Sequence, residues 1–183
     1  MVSQFVSPDN VRLLKDLNFN FPPEIHAIGR LDINSEGLLI LTTNKKLTRI
    51  IFTSEVSHER AYLVMVKNVV SDSTLNKLKS GVDIKINNSE NHLAKPINVE
   101  IIKDPKTIYP FANDIRESYP HTWLLITLTE GKFRQVRKMV MAVKHKCLRL
   151  IRVSISNIKL EDLKPGDVKE FDEDDFFKFL FNN

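Results

Sequence analysis

Short apolar runs alternate with short helical patterns along the whole 183-residue chain, and no repeat or low-complexity tract interrupts them. The apolar runs are bounded by turn-forming or charged residues and predict strands at Gly37 to Thr42, Ala61 to Lys67, Val82 to Ile86, Ile97 to Lys103, Trp123 to Thr129 and Cys147 to Ile155. The helical patterns predict helices at Asn10 to Leu17, Lys45 to Phe52, Ser73 to Ser80, Lys132 to Val143 and Asp174 to Phe181. This mixture predicts one α+β domain over residues 1–183, with several strands antiparallel.

Cysteine content and hydropathy limit the cellular locations in which such a chain is expected. Cys147 is the only cysteine, so no disulfide forms within the chain. The start MVSQFVSPDN lacks the features of a signal peptide, and no apolar stretch approaches the roughly 20 residues that cross a bilayer. We therefore expect a cytoplasmic protein without a membrane partner.

Basic residues are concentrated in one part of the sequence. The net charge of +4 is a weak signal by itself. The segment from Lys132 to Arg152, however, holds eight basic residues and no acidic one: Lys132, Arg134, Arg137, Lys138, Lys144, Lys146, Arg149 and Arg152. A solvated surface is the simpler interpretation of a charge run, but eight uncompensated cations favour contact with phosphates.

The segment EGKFRQVRKMVMAV has the spacing of an amphipathic helix. Val136, Met139, Val140 and Val143 recur at helical spacing on one face, which predicts their burial. Arg134, Arg137 and Lys138 cluster on the other face without the glutamates that a solvated helix normally intersperses. This cationic face therefore suits the binding of phosphate or carboxylate groups, because the planar guanidinium of arginine makes bidentate contacts with both.

Two further residues have both a structural and a chemical interpretation. Asp32 lies in the polar turn IGRLDINSEG, where aspartate is common for conformational reasons alone. Tyr62 shares a strand face with Val64 and Val66, so it is either a core aromatic or a residue that stacks on a base and transfers a proton. The histidines are dispersed and no phosphate-binding or dinucleotide-binding glycine motif is present, which argues against zinc and nucleotide sites.

Three segments in order resemble the motifs of the RsuA/RluE-type ribosomal RNA pseudouridine synthases. They are GRLDINSEGLLILTTN (29–44), RAYLVMV (60–66) and LTEGKFRQVRKMVMAV (128–143), the last followed by LRLIRVSI (148–155). The resemblance implies a mixed, largely antiparallel central sheet with flanking helices and a central active-site cleft. The chain is most similar to the short RluE-like branch without a separate N-terminal RNA-binding module. In that branch a strand precedes the segment that resembles MVSQFVS, so we expect this first strand to be missing here.

The resemblance also implies roles for individual residues. Asp32 is the expected nucleophile, Tyr62 stacks on the uracil and handles a proton, and Arg137 pairs with Asp32. The residues expected to contact RNA are Arg30, Lys132, Arg134, Gln135 and Lys138. The expected substrate is ribosomal RNA, specifically 23S RNA of the large subunit. The enzyme is expected to be a monomer, and the reaction is expected to need no metal or other cofactor.

Two other functions compete with this interpretation. A catalytically silent RNA-binding or ribosome-assembly module could keep the basic helix, although it would not need Asp32, Tyr62 and Arg137. A nuclease would normally need a cluster of carboxylates for Mg²⁺, and the sequence has none near the basic segment.

Overall fold

The computed structural model describes residues 1–53, 58–86, 90–113 and 119–181. Within these residues the strands are β1 (His26–Ala27), β2 (Glu36–Gly37), β3 (Leu41–Thr42), β4 (Arg60–Lys67), β5 (Val82–Lys85), β6 (Asn91–Ala94), β7 (Asn98–Ile102), β8 (His121–Leu128), β9 (Cys147–Ile155) and β10 (Ile158–Lys159). The α-helices in the same ranges are α1 (Lys45–Thr53), α2 (Asp72–Ser80), α3 (Gln135–Ala142) and α4 (Glu173–Phe181). None of them combines the length and apolar character of a bilayer-spanning helix.

A six-stranded sheet forms the centre of the fold, in the order β10-β9-β4-β8-β7, with β2 added in parallel beside β9. The other pairings in this sheet are antiparallel. Two small antiparallel pairs, β1 with β3 and β5 with β6, accompany it. The prediction of a mixed, largely antiparallel sheet is therefore confirmed.

Successive residues of β4 point to opposite faces of this sheet, and both faces are buried. Val64 and Val66 pack with α2, α3 and the β5–β6 pair, whereas Leu63 and Met65 pack with α1, α4 and Trp123. Each of these four β4 side chains is at most 1% exposed. Helices therefore cover both faces of the sheet along the middle of β4.

The helix α3 confirms the predicted apolar face but begins later than expected. Val136, Met139, Val140 and Val143 are all buried. The predicted start at Lys132 is wrong, because Arg134 has a φ of 53°, a left-handed conformation that cannot belong to an α-helix. Residues 132–134 thus form a turn in front of α3.

The predicted helix from Asn10 to Leu17 is also wrong, and only a single 3₁₀ turn, Leu14–Asp16, forms there. The backbone of this segment bonds across to the N-terminal segment instead. Val2 N–H donates to Arg12 O at 2.9 Å, and Leu14 N–H donates to Gln4 O at 2.9 Å. These bonds use the Arg12 carbonyl and the Leu14 N–H group, which would pair within the segment if it were an α-helix.

The run from Gly37 to Thr42, predicted as one strand, is divided between two sheets. Glu36–Gly37 pairs with β9, and Leu41–Thr42 pairs with β1. Gly37 has a φ of 103° and lies so close to the Arg152 backbone that a Cβ atom would overlap its carbonyl group. Glycine is therefore required where the chain crosses from the turn to the central sheet.

Candidate active site

A cleft of about 700 Å³ opens beside the N-terminal end of β4. Its walls are the turn that contains Asp32, the first residues of β4 and the turn between β8 and α3. Asp32 and Tyr62, which are 30 residues apart in sequence, both line it. The sequence-predicted residues Arg30, Lys132, Arg134 and Gln135 line it as well, whereas Arg137 and Lys138 lie outside its lining.

The Asp32 turn is held by neutral hydrogen bonds on both sides of the aspartate. On one side, the Ser3 hydroxyl accepts from Leu31 N–H at 2.9 Å and donates to Leu31 O at 3.0 Å. On the other, Ser35 N–H donates to Asp32 O at 2.8 Å. The backbone of Asp32 is thus fixed, while its side chain is half-buried at the wall of the cleft.

Arg137 contacts the same turn at a different point from the one predicted. Its Nη2 donates to Asn34 O at 2.5 Å and lies 3.4 Å from the Ser35 hydroxyl. Its Nε is enclosed and has no hydrogen-bond partner among the described residues. The guanidinium therefore sits on the loop that follows Asp32, where it braces the turn. Direct pairing with the Asp32 carboxylate remains a prediction.

The floor of the cleft contains two buried cations beside Tyr62. Arg152 is 5% exposed and Arg60 is 8% exposed. Tyr62 lies directly opposite Arg152 in the β4–β9 ladder. Burial lowers the pKa of the Arg152 guanidinium and the Arg60 charge lowers it further, while Tyr62 acts in the opposite direction. Tyr62 acts on Arg152 both through its charge and through a side-chain hydrogen bond, so the phenol and this guanidinium meet at the floor of the cleft.

The turn before α3 is fixed by Gln135, which is only 3% exposed. Its Nε2 donates to Glu130 Oε1 at 2.5 Å, and its Oε1 accepts from Lys132 N–H at 2.8 Å. His92 Nε2 also lies 2.7 Å from Glu130 Oε1. Both ends of the Gln135 amide are used inside the protein, so the geometry gives no support to its expected contact with RNA.

The remaining predicted RNA contacts differ in their exposure. Arg30, Lys132 and Arg134 are exposed along the rim of the cleft. Lys138 is half-buried, and its Nζ donates to Ile86 O at 3.2 Å and lies 5.3 Å from the centre of the Phe133 ring. The cationic rim of the cleft therefore consists of the first three residues.

Two cations of the basic segment are internal rather than free for phosphates. Arg149 Nε and Nη2 each lie 2.8 Å from a carboxylate oxygen of Glu36, and this hydrogen-bonded contact raises the pKa of Arg149. Arg152 Nε donates to Leu38 O at 2.8 Å. The interpretation of eight uncompensated cations as a phosphate-binding surface is therefore wrong for these two.

Sequence reasoning missed Ser3, His58 and Arg60 as residues of this region. His58 lines the cleft and is 4% exposed, with its Nδ1 2.7 Å from the Ser156 hydroxyl. A signal for Arg60 was available, because a charged residue at the start of a strand buried on both faces needs a special environment. Within the described ranges, no group of three or more His, Cys, Asp or Glu residues could hold a metal ion.

Comparison with known proteins gives a consistent result. The family described as RNA pseudouridylate synthase matches residues 6–142. Ribosomal large subunit pseudouridine synthase E of Vibrio vulnificus (strain CMCP6) is 36% identical over 171 residues, which cover 92% of this chain and 70% of that protein. Ribosomal small subunit pseudouridine synthase A of Escherichia coli (strain K12) is 29% identical over 169 residues, 92% of this chain and 64% of that protein.

A solved structure shows the same fold. The crystal structure of a pseudouridylate synthase superposes with a TM-score of 0.69 at 23% identity, over 88% of this chain and 63% of that chain. The family match spans most of the chain and includes Asp32, Tyr62 and Arg137. This chain belongs to the RNA pseudouridylate synthase family.

Proposed function

We propose that this chain isomerises a uridine to pseudouridine in large-subunit ribosomal RNA, with Asp32 as its nucleophile. The observation that carries the proposal is that Asp32 and Tyr62 face one cleft whose rim bears Arg30, Lys132 and Arg134. The choice of large-subunit RNA rests on the name of the Vibrio vulnificus relative. We also propose that residues 1–183 form one catalytic domain, which acts in the cytoplasm as a monomer.

The reaction makes specific demands on the cleft. The N1–C1′ bond of the uridine breaks, the uracil turns while it stays bound, and a C5–C1′ bond forms; C5 then loses a proton and N1 gains one. Asp32 supplies the carboxylate oxygen, which either adds to the base or ribose or stabilises or deprotonates an intermediate. Tyr62 stacks on the free uracil and handles a proton, beside Arg60 and Arg152 in the lining of the cleft.

Entry of the uridine explains the cationic rim. A uridine within folded RNA must leave its stack to reach the cleft, at a cost of a few kcal/mol. Phosphate contacts by Arg30, Lys132 and Arg134 would offset this cost, because each cation releases counterions from the RNA. We propose Arg137 as the cation that stabilises the ionised Asp32, through the turn it already contacts at Asn34 and Ser35.

The experiment that tests the assignment is the substitution Asp32→Asn, with Asp83→Asn as the control. Asp83 is exposed on β5 and does not line the cleft. Release of tritium from ribosomal RNA containing 5-tritiated uridine measures turnover, and filter binding at two salt concentrations measures affinity. We expect Asp32→Asn to lose turnover by a factor on the order of 10⁴ or more and to keep RNA affinity within a few-fold. The control should match the wild-type protein in both measurements.

Two outcomes would contradict the proposal in different ways. Wild-type tritium release by Asp32→Asn would remove Asp32 from the role of nucleophile. Binding of ribosomal RNA without tritium release by the wild-type protein would instead favour the silent RNA-binding module.

A further inference from the structure

Phe133 is a large apolar side chain that the protein exposes at the lip of the cleft. It is 65% exposed, and it lines the cleft between the exposed residues Lys132 and Arg134. Single exposed hydrophobic residues are common and need no explanation by themselves. The position of Phe133, within the cationic rim of an RNA-modifying cleft, separates it from exposed aromatics elsewhere, such as Phe179 on α4.

The turn that carries Phe133 is held from both ends. Gln135 bridges the Glu130 carboxylate and the Lys132 backbone N–H, and His92 holds the same carboxylate from β6. The buried amide of Gln135 thereby ties residues 130–132 to the start of α3. A ring on such a turn is displayed in a fixed place, so a ligand that meets it does not bear the entropic cost of ordering the loop.

Lys138 contacts the Phe133 ring and restrains its position. Its Nζ lies 5.3 Å from the centre of the Phe133 ring and is itself anchored to Ile86 O at 3.2 Å. A cation near an aromatic ring is attracted by the electrons of the ring face, so Lys138 restrains the ring. With 65% of Phe133 still exposed, most of the ring surface stays open to a ligand.

We propose that Phe133 is a stacking platform for a nucleobase of the substrate RNA, next to the uridine that enters the cleft. Sites for single-stranded nucleic acid combine cations that follow the phosphates with aromatic rings on which bases stack. Lys132 and Arg134 supply the cations on either side of this ring. A base held on Phe133 regains stacking that is lost when the neighbouring uridine leaves the helix. This inference rests on the proposed function, in which the cleft binds RNA.

The experiment compares Phe133→Leu, which keeps an apolar side chain without a ring, with Phe133→Trp, which enlarges the ring. Phe179→Leu is the matched control, because it makes the same change on α4, outside the cleft. The probe is a single-stranded oligouridylate that carries 2-aminopurine at alternate positions, since stacking quenches the fluorescence of this base. Titration with each protein at two salt concentrations gives the affinity, the quenching and the salt dependence.

We expect Phe133→Leu to weaken binding by about fivefold to 150-fold, the range that base–aromatic stacking represents, and to lose most of the quenching. Phe133→Trp should bind at least as tightly as the wild-type protein, and Phe179→Leu should match it. The salt dependence should be the same for Phe133→Leu and wild type, because no charge changes. Lys132→Ala should instead reduce the slope by about 0.7.

The outcomes separate this inference from the function on which it rests. Binding and quenching by Phe133→Leu within twofold of wild type would overturn the stacking platform and leave the proposed function intact. Failure of the wild-type protein to bind the oligouridylate at low salt would also overturn the stacking platform, and tritium release from ribosomal RNA by the same protein would then decide the proposed function separately.

Discussion

Substitution of Ser3 by alanine would test how firmly the Asp32 turn must be held. The Ser3 side chain is 9% exposed and makes two hydrogen bonds to the backbone of Leu31, the residue between Arg30 and Asp32. Alanine removes the hydroxyl and leaves the Leu31 N–H and carbonyl groups without this partner. The N-terminal segment itself should stay in place, because Val2 N–H still donates to Arg12 O and Gln4 O still accepts from Leu14 N–H.

The magnitude follows from these two bonds. A hydrogen bond within a protein contributes about 1 kcal/mol net, so the loss is about 2 kcal/mol if water does not replace the hydroxyl. If all of this free energy served to hold Asp32 in its productive position, the rate of the chemical step would fall by a factor of about 30. RNA affinity should change little, because Lys132 and Arg134 of the cationic rim lie on a turn that Ser3 does not contact.

Single-turnover tritium release at saturating RNA measures the chemical step, and filter binding measures affinity. We expect Ser3→Ala to release tritium between fivefold and about 30-fold more slowly, with a Kd within twofold of wild type. Ser7→Ala is the control, since among the described residues the Ser7 hydroxyl accepts only from Asp9 N–H, at 3.1 Å, in the same segment. A lower Tm together with an unchanged single-turnover rate, measured well below that Tm, would refute the positioning role and leave Ser3 as a purely structural residue.

Three further predictions concern pH, an internal ion pair and metal ions. Burial lowers the pKa of His58, and the Arg60 charge adds to this effect, so protonation of His58 favours the unfolded state. The Tm should therefore fall as the pH drops below about 6.5. The fall should be less steep in His58→Gln than in the control variant His26→Gln. Glu36→Gln should lower the free energy of unfolding, measured with urea, by about 1 kcal/mol, because it weakens both contacts to Arg149, and no change would contradict a stabilising pair. EDTA should leave tritium release unchanged on folded RNA, and a reversible loss of activity would show that a metal ion takes part.

The parts of the fold that could be predicted from sequence are those whose secondary structure is set by the local residue pattern, whichever segments they pack against. The runs that became β4, β8 and β9 are apolar on both faces and form strands wherever they pair. The segment from Asn10 to Leu17 has an equally plausible helical pattern, but its backbone bonds to residues 2–4. No local pattern contains that information.

The same distinction applies to the candidate site. The apolar face of α3 could be predicted from spacing, whereas the fate of the cations could not. Arg149 and Arg152 look free in the sequence because their partners, Glu36 and Leu38, are more than 100 residues away. The family resemblance pointed to Asp32 and Tyr62 as site residues, and the structure shows that both line one cleft. The resemblance could not reveal Ser3, because its role depends on a contact with Leu31, 28 residues away in sequence.

The means by which the Asp32 turn is held has a chemical consequence. Ser3, the Ser35 backbone and Arg137 all bind carbonyl or amide groups of the turn, on both sides of Asp32. A carboxylate has two oxygens, so an ion pair that used both of them would leave neither for the nucleotide. A turn fixed through its backbone can instead hold the carboxylate at the cleft wall with its oxygens available to the nucleotide. Arg137, which contacts the adjoining loop at Asn34, helps to fix this turn without occupying the carboxylate oxygens that must react.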